Sequence, residues 1–212
     1  MTSRRTGLRE RKKQATREAL RDAALRLALE RGPDEVRVDA IAEAAGVSPR
    51  TYNNYFSRRE HAIIAAVTAE RESRVAAAVI ARPANVRLGD AVVDAIVEHY
   101  TDPAEHDRDA LLLITTHPAL RNAFARSATD IEHPLADAIA HRLDDPGQYA
   151  ARVLAASVAA AVHLALQRWV RPTAEGSAAR GLVVPSGSLP DLLRESLAPL
   201  MPALDAAEGH AG

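Results

Sequence analysis

Between Arg37 and Glu60 the chain carries side chains suited to the edges of nucleic-acid bases and the oxygens of a phosphate backbone. Arg50 has a planar guanidinium whose parallel N–H donors match O6 and N7 of guanine. Asn53 and Asn54 carry amides that match N6 and N7 of adenine. One such bidentate pair discriminates between bases by about 1–3 kcal/mol. A phosphate contact is the alternative for Arg50, and phosphate or solvent is the alternative for one of the two Asn. Ser48, Thr51, Tyr55 and Arg59 suit positioning rather than specifying, since hydroxyls and guanidinium bind phosphate oxygens readily.

These groups need a rigid platform, and the spacing provides one. Val38 to Ala45 is a helix-compatible run with Ile41, Ala44 and Ala45 on one face. Gly46 stands where a left-handed residue ends a helix. Ser48 is a good N-cap, and Pro49 falls at the first helical position, where its missing N–H costs nothing. Tyr52 and Phe56 lie one turn apart on the buried side. Ser57 and Glu60 form a capping box that opens the next helix. Helix, glycine turn and second short helix make a DNA-binding helix-turn-helix, with Pro49 to Tyr55 entering the major groove N-terminus first.

Ala42, Ala45, Gly46, Val47, Ser48, Thr51, Tyr55, Phe56, Arg59 and Glu60 fall at the spacing A-x-x-A-G-V-S-x-x-T-x-x-x-Y-F-x-x-[KR]-E, which resembles the signature of TetR-family transcriptional regulators of the TetR/AcrR type. The resemblance covers roughly residues 9–70. It implies an operator-binding homodimer whose second domain binds a small-molecule effector, and a linking helix that moves the DNA head when ligand binds. Three positions depart from the pattern. Tyr52 takes the usual aliphatic place, so it reads as core, and Asn53 stands where a Tyr usually contacts phosphate. Arg37, where a Thr commonly caps the preceding helix, joins the DNA-facing set.

The 212 residues carry a net charge of −1, which by itself argues against nucleic acid. Its distribution argues the reverse. Residues 1–60 hold 14 Lys+Arg and 9 Asp+Glu, a balance of +5, whereas 61–212 hold 13 and 19, a balance of −6. A basic head on an acidic body suits a protein that presents one end to phosphates. Hydrophobic residues make up 47%, much of it Ala, with only two Phe and one Trp, which favours an all-helical fold. With no cysteine, disulfides and thiolate sites are excluded, and a cytoplasmic location fits. The basic N-terminus lacks an apolar core, so it is no signal peptide. The longest uncharged run, Val153 to Gln167, is shorter than a bilayer span, so a buried core or dimer helix is the better reading and no membrane partner is expected.

The expected architecture is all-α: a three-helix head over 9–70, a long helix shared with a helical ligand-binding and dimerisation domain over 71–205, and flexible tails at 1–8 and 206–212. Arg9 to Arg31 reads as the first helix, with Ala15, Ala19, Leu20, Ala23, Ala24 and Leu27 as its apolar stripe. Arg9, Arg11, Lys12, Lys13 and Arg17 in its first turns can reach a phosphate backbone or simply meet solvent. Arg58 to Ala81 reads as one helix of ~35 Å. Further helices are expected over 88–101, from an Asp102 cap to Thr116, from Pro118 to Phe124, and on to Leu143 with a kink at Pro134. A long helix follows from an Asp145–Pro146 cap to Val170, then a loop from Thr173 to Ser188 and a last helix over 189–204.

Helices 146–170 and 189–204 lie where the resembled family forms its dimer interface. Ala155, Ala156, Ala159 and Ala160 permit close approach, and Leu192, Leu193, Leu197 and Leu200 supply apolar area, though all can equally pack a monomer core. His99, Tyr100, His117 and His163 are candidate pocket residues, able to orient an apolar ligand or to sit as satisfied or surface groups. No histidine pair has metal-site spacing, so neither a metal nor a cofactor is expected. His117 to Arg121 and Trp169 resemble a TetR subgroup that includes acyl-CoA-responsive regulators, which implies an apolar or acyl effector. No G-x-S-x-G, P-loop, dinucleotide fingerprint, H-E-x-x-H or Cys nucleophile is present, so an enzyme is not expected. The competing functional reading is a ligand-independent architectural DNA binder.

Overall fold

A computed structural model describes residues 2–68, 71–101, 108–144, 148–171 and 188–209, with the backbone alone for 2–8, 10 and 108. Among them the regular elements are all helical. They are α1 (Thr2–Arg31), α2 (Val38–Ala44), α3 (Pro49–Asn53), α4 (Arg59–Val67), α5 (Arg71–Ala81), α6 (Leu88–Thr101), α7 (Arg108–Thr116), α8 (Pro118–Arg126), α9 (Glu132–Leu143), α10 (Tyr149–Trp169), α11 (Leu189–Leu197) and α12 (Met201–Gly209). Short 3-10 segments lie at Pro33–Glu35, Ser127–Ile131 and Ala198–Leu200. The chain divides into two compact units, residues 1–67 with 107–123 and residues 68–106 with 124–212.

In the first unit α1 packs on α2 and α4, and α2 on α3. Leu20, Ala23, Ala24, Leu27 and Ala28 of α1 are buried with Ile41, Ala42, Tyr52, Phe56, Ile63 and Ile64. The α1 stripe is shorter than its sequence suggests: Ala15 and Ala19 are exposed and burial begins at Leu20. No side chain described between Arg9 and Ala19 is buried, and the helix runs back to Thr2, through most of the expected flexible tail.

Tyr52 is fully buried, as its aliphatic place implies, with its ring centroid 5.9 Å from that of Phe56. Its hydroxyl is buried with no hydrogen-bond partner among the described residues. Burial, and then the charge of Glu60, push its pKa up to about 12, so it stays a neutral phenol. An unsatisfied buried polar group costs about 1–3 kcal/mol. Tyr52→Phe is therefore expected to stabilise the protein by about 1 kcal/mol, seen as a higher urea midpoint at unchanged slope. A lower midpoint would mean that the hydroxyl is satisfied.

In the second unit α10 packs against α9 and α11, α5 against α6 and α9, and α6 against α11 and α12. The link between head and body is two helices rather than one. α4 stops at Val67, Thr68 is bent and buried, and the Arg71 N–H returns to the Thr68 carbonyl at 3.2 Å. The break accompanies the burial of Arg71, whose side chain sits on aromatic rings inside this unit instead of on a solvated helix face.

Proline accounts for two further departures. The interruption expected at Pro134 falls earlier, at Ser127–Ile131, because Pro134 is the third residue of α9, where no N–H is needed. Pro199 splits the expected 189–204 helix, and Pro202 is tolerated in the first turn of α12. α12 then runs to Gly209, so residues 206–209 are helical rather than a loose tail. The expected caps at 102–105 and 145–146, and the loop from Thr173 as far as 187, lie outside the described residues.

α6 starts without a local cap, since Arg87 before it has no acceptor. Its first N–H groups are satisfied from α12. Leu88 N donates to Glu208 Oε2 and Gly89 N to Asp205 Oδ1, both at 2.9 Å. Arg142 Nη2 donates to Glu208 Oε1 at 2.8 Å and to the Val86 carbonyl at 2.7 Å, and Arg87 pairs with Asp205.

Candidate nucleic-acid interface

The turn between α2 and α3 is built by local chemistry. Gly46, at φ 69°, follows the Ala45 cap, its N–H bonding the Glu43 carbonyl, and the Val47 N–H bonds the Ala42 carbonyl at 2.9 Å. That pair of bonds closes α2 with its last carbonyls satisfied. Ser48 then caps α3: its Oγ accepts from the Thr51 N–H at 3.1 Å and lies 2.9 Å from Thr51 Oγ1. Pro49 occupies the first helical position. α3 ends at Asn53, Asn54 is its C-cap, and Tyr55 lies beyond it on a final turn.

The same short stretch separates inside from outside. Tyr52 and Phe56 face the core, while Ser48, Pro49, Arg50, Asn53 and Asn54 are exposed and Thr51 and Tyr55 half-buried. Arg50 and the two Asn amides therefore project from a helix held by its own core residues. Arg37 is the N-cap of α2 but makes no side-chain cap bond, since a guanidinium has no acceptor to offer. Its side chain is exposed.

The Arg59 guanidinium, expected to position the phosphate backbone, is engaged within the head. Nη1 donates to the carbonyls of Asp34 and Val36 at 2.9 and 3.1 Å, Nε donates to Glu60 at 2.9 Å, and Nη2 lies 3.7 Å from the Asp34 carboxylate. These bonds tie the start of α4 to the segment before α2. The fork geometry of guanidinium suits such a clamp as well as it suits phosphate, and spacing alone does not separate the two. Ser57, expected in a capping box, instead pairs its hydroxyl with His61 Nδ1 at 3.0 Å.

The four candidate effector residues divide between the units. His117 belongs to the first, where its Nδ1 lies 3.1 Å from the Leu113 carbonyl and from Thr116 Oγ1, closing the end of α7. Tyr100 and His163 belong to the second, around Phe124. The Arg71 guanidinium lies 4.5 Å from the Tyr100 centroid and 5.6 Å from that of Phe124, and Phe124 faces Trp169 at 6.3 Å. His163 Nδ1 donates to the Ala125 carbonyl at 2.7 Å, which leaves Nε2 to accept from Gln167 Nε2 at 2.9 Å. Burial pushes the Tyr100 phenol up to about 12, against the opposing pull of Arg71, and keeps it neutral. His99 is half-buried beside it. Arg71 has no sequence signal, since R-E-S-R reads as a solvated helix face; only the fold turns it inward.

Residues 20–66 match the model for bacterial regulatory proteins of the tetR family, and residues 82–205 match the MftR C-terminal domain, one of that family's C-terminal types. The chain belongs to the TetR family. It is 32% identical over 152 residues to the HTH-type transcriptional regulator TcmR of Streptomyces glaucescens, covering 66% of this chain and 67% of that one. Its fold is similar to that of FadR from Thermus thermophilus, described as a TetR-family transcriptional repressor in complex with lauroyl-CoA. That likeness has a TM-score of 0.50 at 22% identity and covers 87% of this chain and 92% of the other. Membership in the TetR family makes this chain a DNA-binding transcriptional regulator rather than an enzyme.

Proposed function

We propose that this TetR-family regulator acts as a repressor: a cytoplasmic homodimer that holds an operator through α3 and releases it on binding a small, largely apolar, acyl-type effector. The functional division we assign is 9–70 for DNA and 71–205 for effector and partner. The supporting observation is the exposed Arg50, Asn53 and Asn54 on a helix capped by Ser48 and anchored by Tyr52 and Phe56. Arg37, Pro49, Thr51 and Tyr55 flank them as backbone-positioning groups.

The effector reading draws support from the Phe124 cluster, where Tyr100, Trp169 and His163 combine apolar surface with fixed polar groups. Lauroyl-CoA, the ligand of the Thermus relative, belongs to the proposed class. An effector that prefers the DNA-incompetent arrangement lowers operator affinity only by its differential affinity for the two states. Coupling of about 1–3 kcal/mol gives ~5–150-fold.

α10 supports the dimer. Tyr149, Val153, Ala160 and Leu164 share one exposed face, at 79% exposure for Tyr149 and 61% for Leu164. The expected leucines do not form that face: Leu192, Leu193 and Leu197 are buried within the protomer, and so are Ala155 and Ala159. Helical spacing groups these residues without showing which neighbour covers them. By length and composition α10 could cross a membrane, being longer than its uncharged core. Its packing on α9 and α11, which buries Ala155, Val158, Val162 and Leu166, supports a core helix of the protomer instead.

The test is binding of the purified protein to its own upstream DNA against a scrambled duplex, beside Arg50→Ala. The variant is expected to lose about 1–3 kcal/mol of operator affinity per half-site and most of its discrimination. Adding lauroyl-CoA is expected to release the wild type. Equal binding of both duplexes by the wild type would favour an architectural role, and indifference to acyl-CoA would remove the effector class.

A further inference from the structure

Arg142, on the last turn of α9, has a side chain only 7% exposed. Its Nη2 donates to the Val86 carbonyl at 2.7 Å and to Glu208 Oε1 at 2.8 Å. Its Nη1 is buried and has no acceptor among the described residues. Arg82, just past the end of α5, repeats the pattern. Nη2 donates to Glu98 Oε2 at 3.0 Å, while Nε is buried without an acceptor among the described residues. A buried donor on a charged group is costly to leave unmade, so two such donors beside one cleft point to an acceptor that enters it.

Both arginines line a cleft of about 450 Å³ within the second unit, where the C-terminal ends of α5 and α9 meet α12. The cleft shares no lining residue with the Phe124 cluster. Ile80, 46% exposed, and the buried Leu143 give it an apolar wall. Glu208, Asp144 and the exposed His141 line it too. Two carboxylates and two helix C-termini oppose a doubly charged phosphate ester there, whereas a single negative charge suits the two guanidinium donors. A carboxylate also has the planar pair of oxygens that such donors match.

We propose that this cleft binds a small monocarboxylate with a short apolar tail. The carboxylate accepts from Arg142 Nη1 and Arg82 Nε, and the tail covers Ile80 and Leu143. Bound there, the ligand fixes Arg142, and through it the Val86 carbonyl and Glu208, whose Oε2 accepts the Leu88 N–H. Occupancy thus strengthens the contact by which α12 caps α6. The site stands independently of α3 as the DNA-facing helix and of an effector at the Phe124 cluster.

The probe is hexanoate, titrated calorimetrically into the whole protein at constant ionic strength, beside hexanol, hexylamine and inorganic phosphate. Hexanoate is expected to bind saturably, and the other three at least about 10-fold more weakly. Arg82→Gln is expected to weaken hexanoate about 10-fold. Ala84→Glu, which brings a carboxylate to the cleft from an exposed position, is expected to abolish its binding. Glu98→Gln releases Arg82 from its ion pair and is expected to tighten binding, an effect that lost structure does not produce. Hexanoate is also expected to slow amide exchange at Leu88 in the wild type and not in Ala84→Glu, with circular dichroism reading the fold of each variant. Hexanol or phosphate binding as tightly as hexanoate would overturn the monocarboxylate. No saturable hexanoate binding would mean that water alone satisfies the two donors, and binding indifferent to all three substitutions would put hexanoate elsewhere, the Phe124 cluster included. Either result removes the site.

Discussion

Leu164→Glu is expected to leave the protomer folded and to convert the protein to a monomer with operator affinity lower by ~10²–10⁴-fold. Leu164 is 61% exposed on α10, beside Val153 and Ala160 at i−11 and i−4, so a carboxylate there disturbs little inside one protomer. In a two-fold interface the same substitution places a charge on each side of the apolar contact, and the burial of both is strongly unfavourable. Operator affinity follows because two half-sites held by one dimer gain the effective concentration that a monomer lacks. Light scattering reads the mass, circular dichroism the fold, and anisotropy the affinity. A folded variant that stays dimeric would remove this face of α10 from the interface.

The second large effect concerns the carboxylates at the C-terminal end. Asp205→Ala/Glu208→Ala is expected to destabilise the second unit by about 3–5 kcal/mol, the usual range for stripping a buried cation of its partner. Arg142 would keep only the Val86 carbonyl, with its side chain 7% exposed, and the N–H groups of Leu88 and Gly89 would be left without acceptors. Amide exchange at residues 88 and 89, with the urea midpoint, measures the effect. Gly89→Ala approaches the same contact from the other side. A Cβ there meets Asp205 Oδ1 at 2.8 Å and the Met201 carbonyl at 3.3 Å, so α12 must move away. Unchanged protection of Leu88 and Gly89 in the double variant would show that α12 does not cap α6.

Both substitutions act on features that helical periodicity does not reveal. A period of 3.6 residues shows that Leu192, Leu193 and Leu197 share a face with one another, and that Ala15 and Ala19 share one with Ala23. It is silent on what lies opposite. The leucines turn out to be covered within the protomer, whereas the two alanines are exposed. His117 and Arg59 illustrate the same limit for polar groups. Each has a nearby backbone carbonyl that takes its donors, the Leu113 carbonyl for His117 and the Asp34 and Val36 carbonyls for Arg59. Residue type could not distinguish that use from an effector or phosphate contact.

What the amino-acid sequence by itself determined is the recognition turn and the all-helical class. Gly46, Ser48 and Pro49 act through bonds to residues at most five positions away, and the alternation of Tyr52 and Phe56 with Arg50, Asn53 and Asn54 sets inside against outside within two turns. Tertiary structure alone decided the break at Thr68, the burial of Arg71 against Tyr100 and Phe124, and the exposed stripe of α10. It alone paired Asp205 and Glu208 with an N-terminus 116 and 120 residues earlier. Local hydrogen bonds and caps are encoded where they act, whereas burial of a charge or satisfaction of a distant N–H depends on which surfaces meet after the chain has folded.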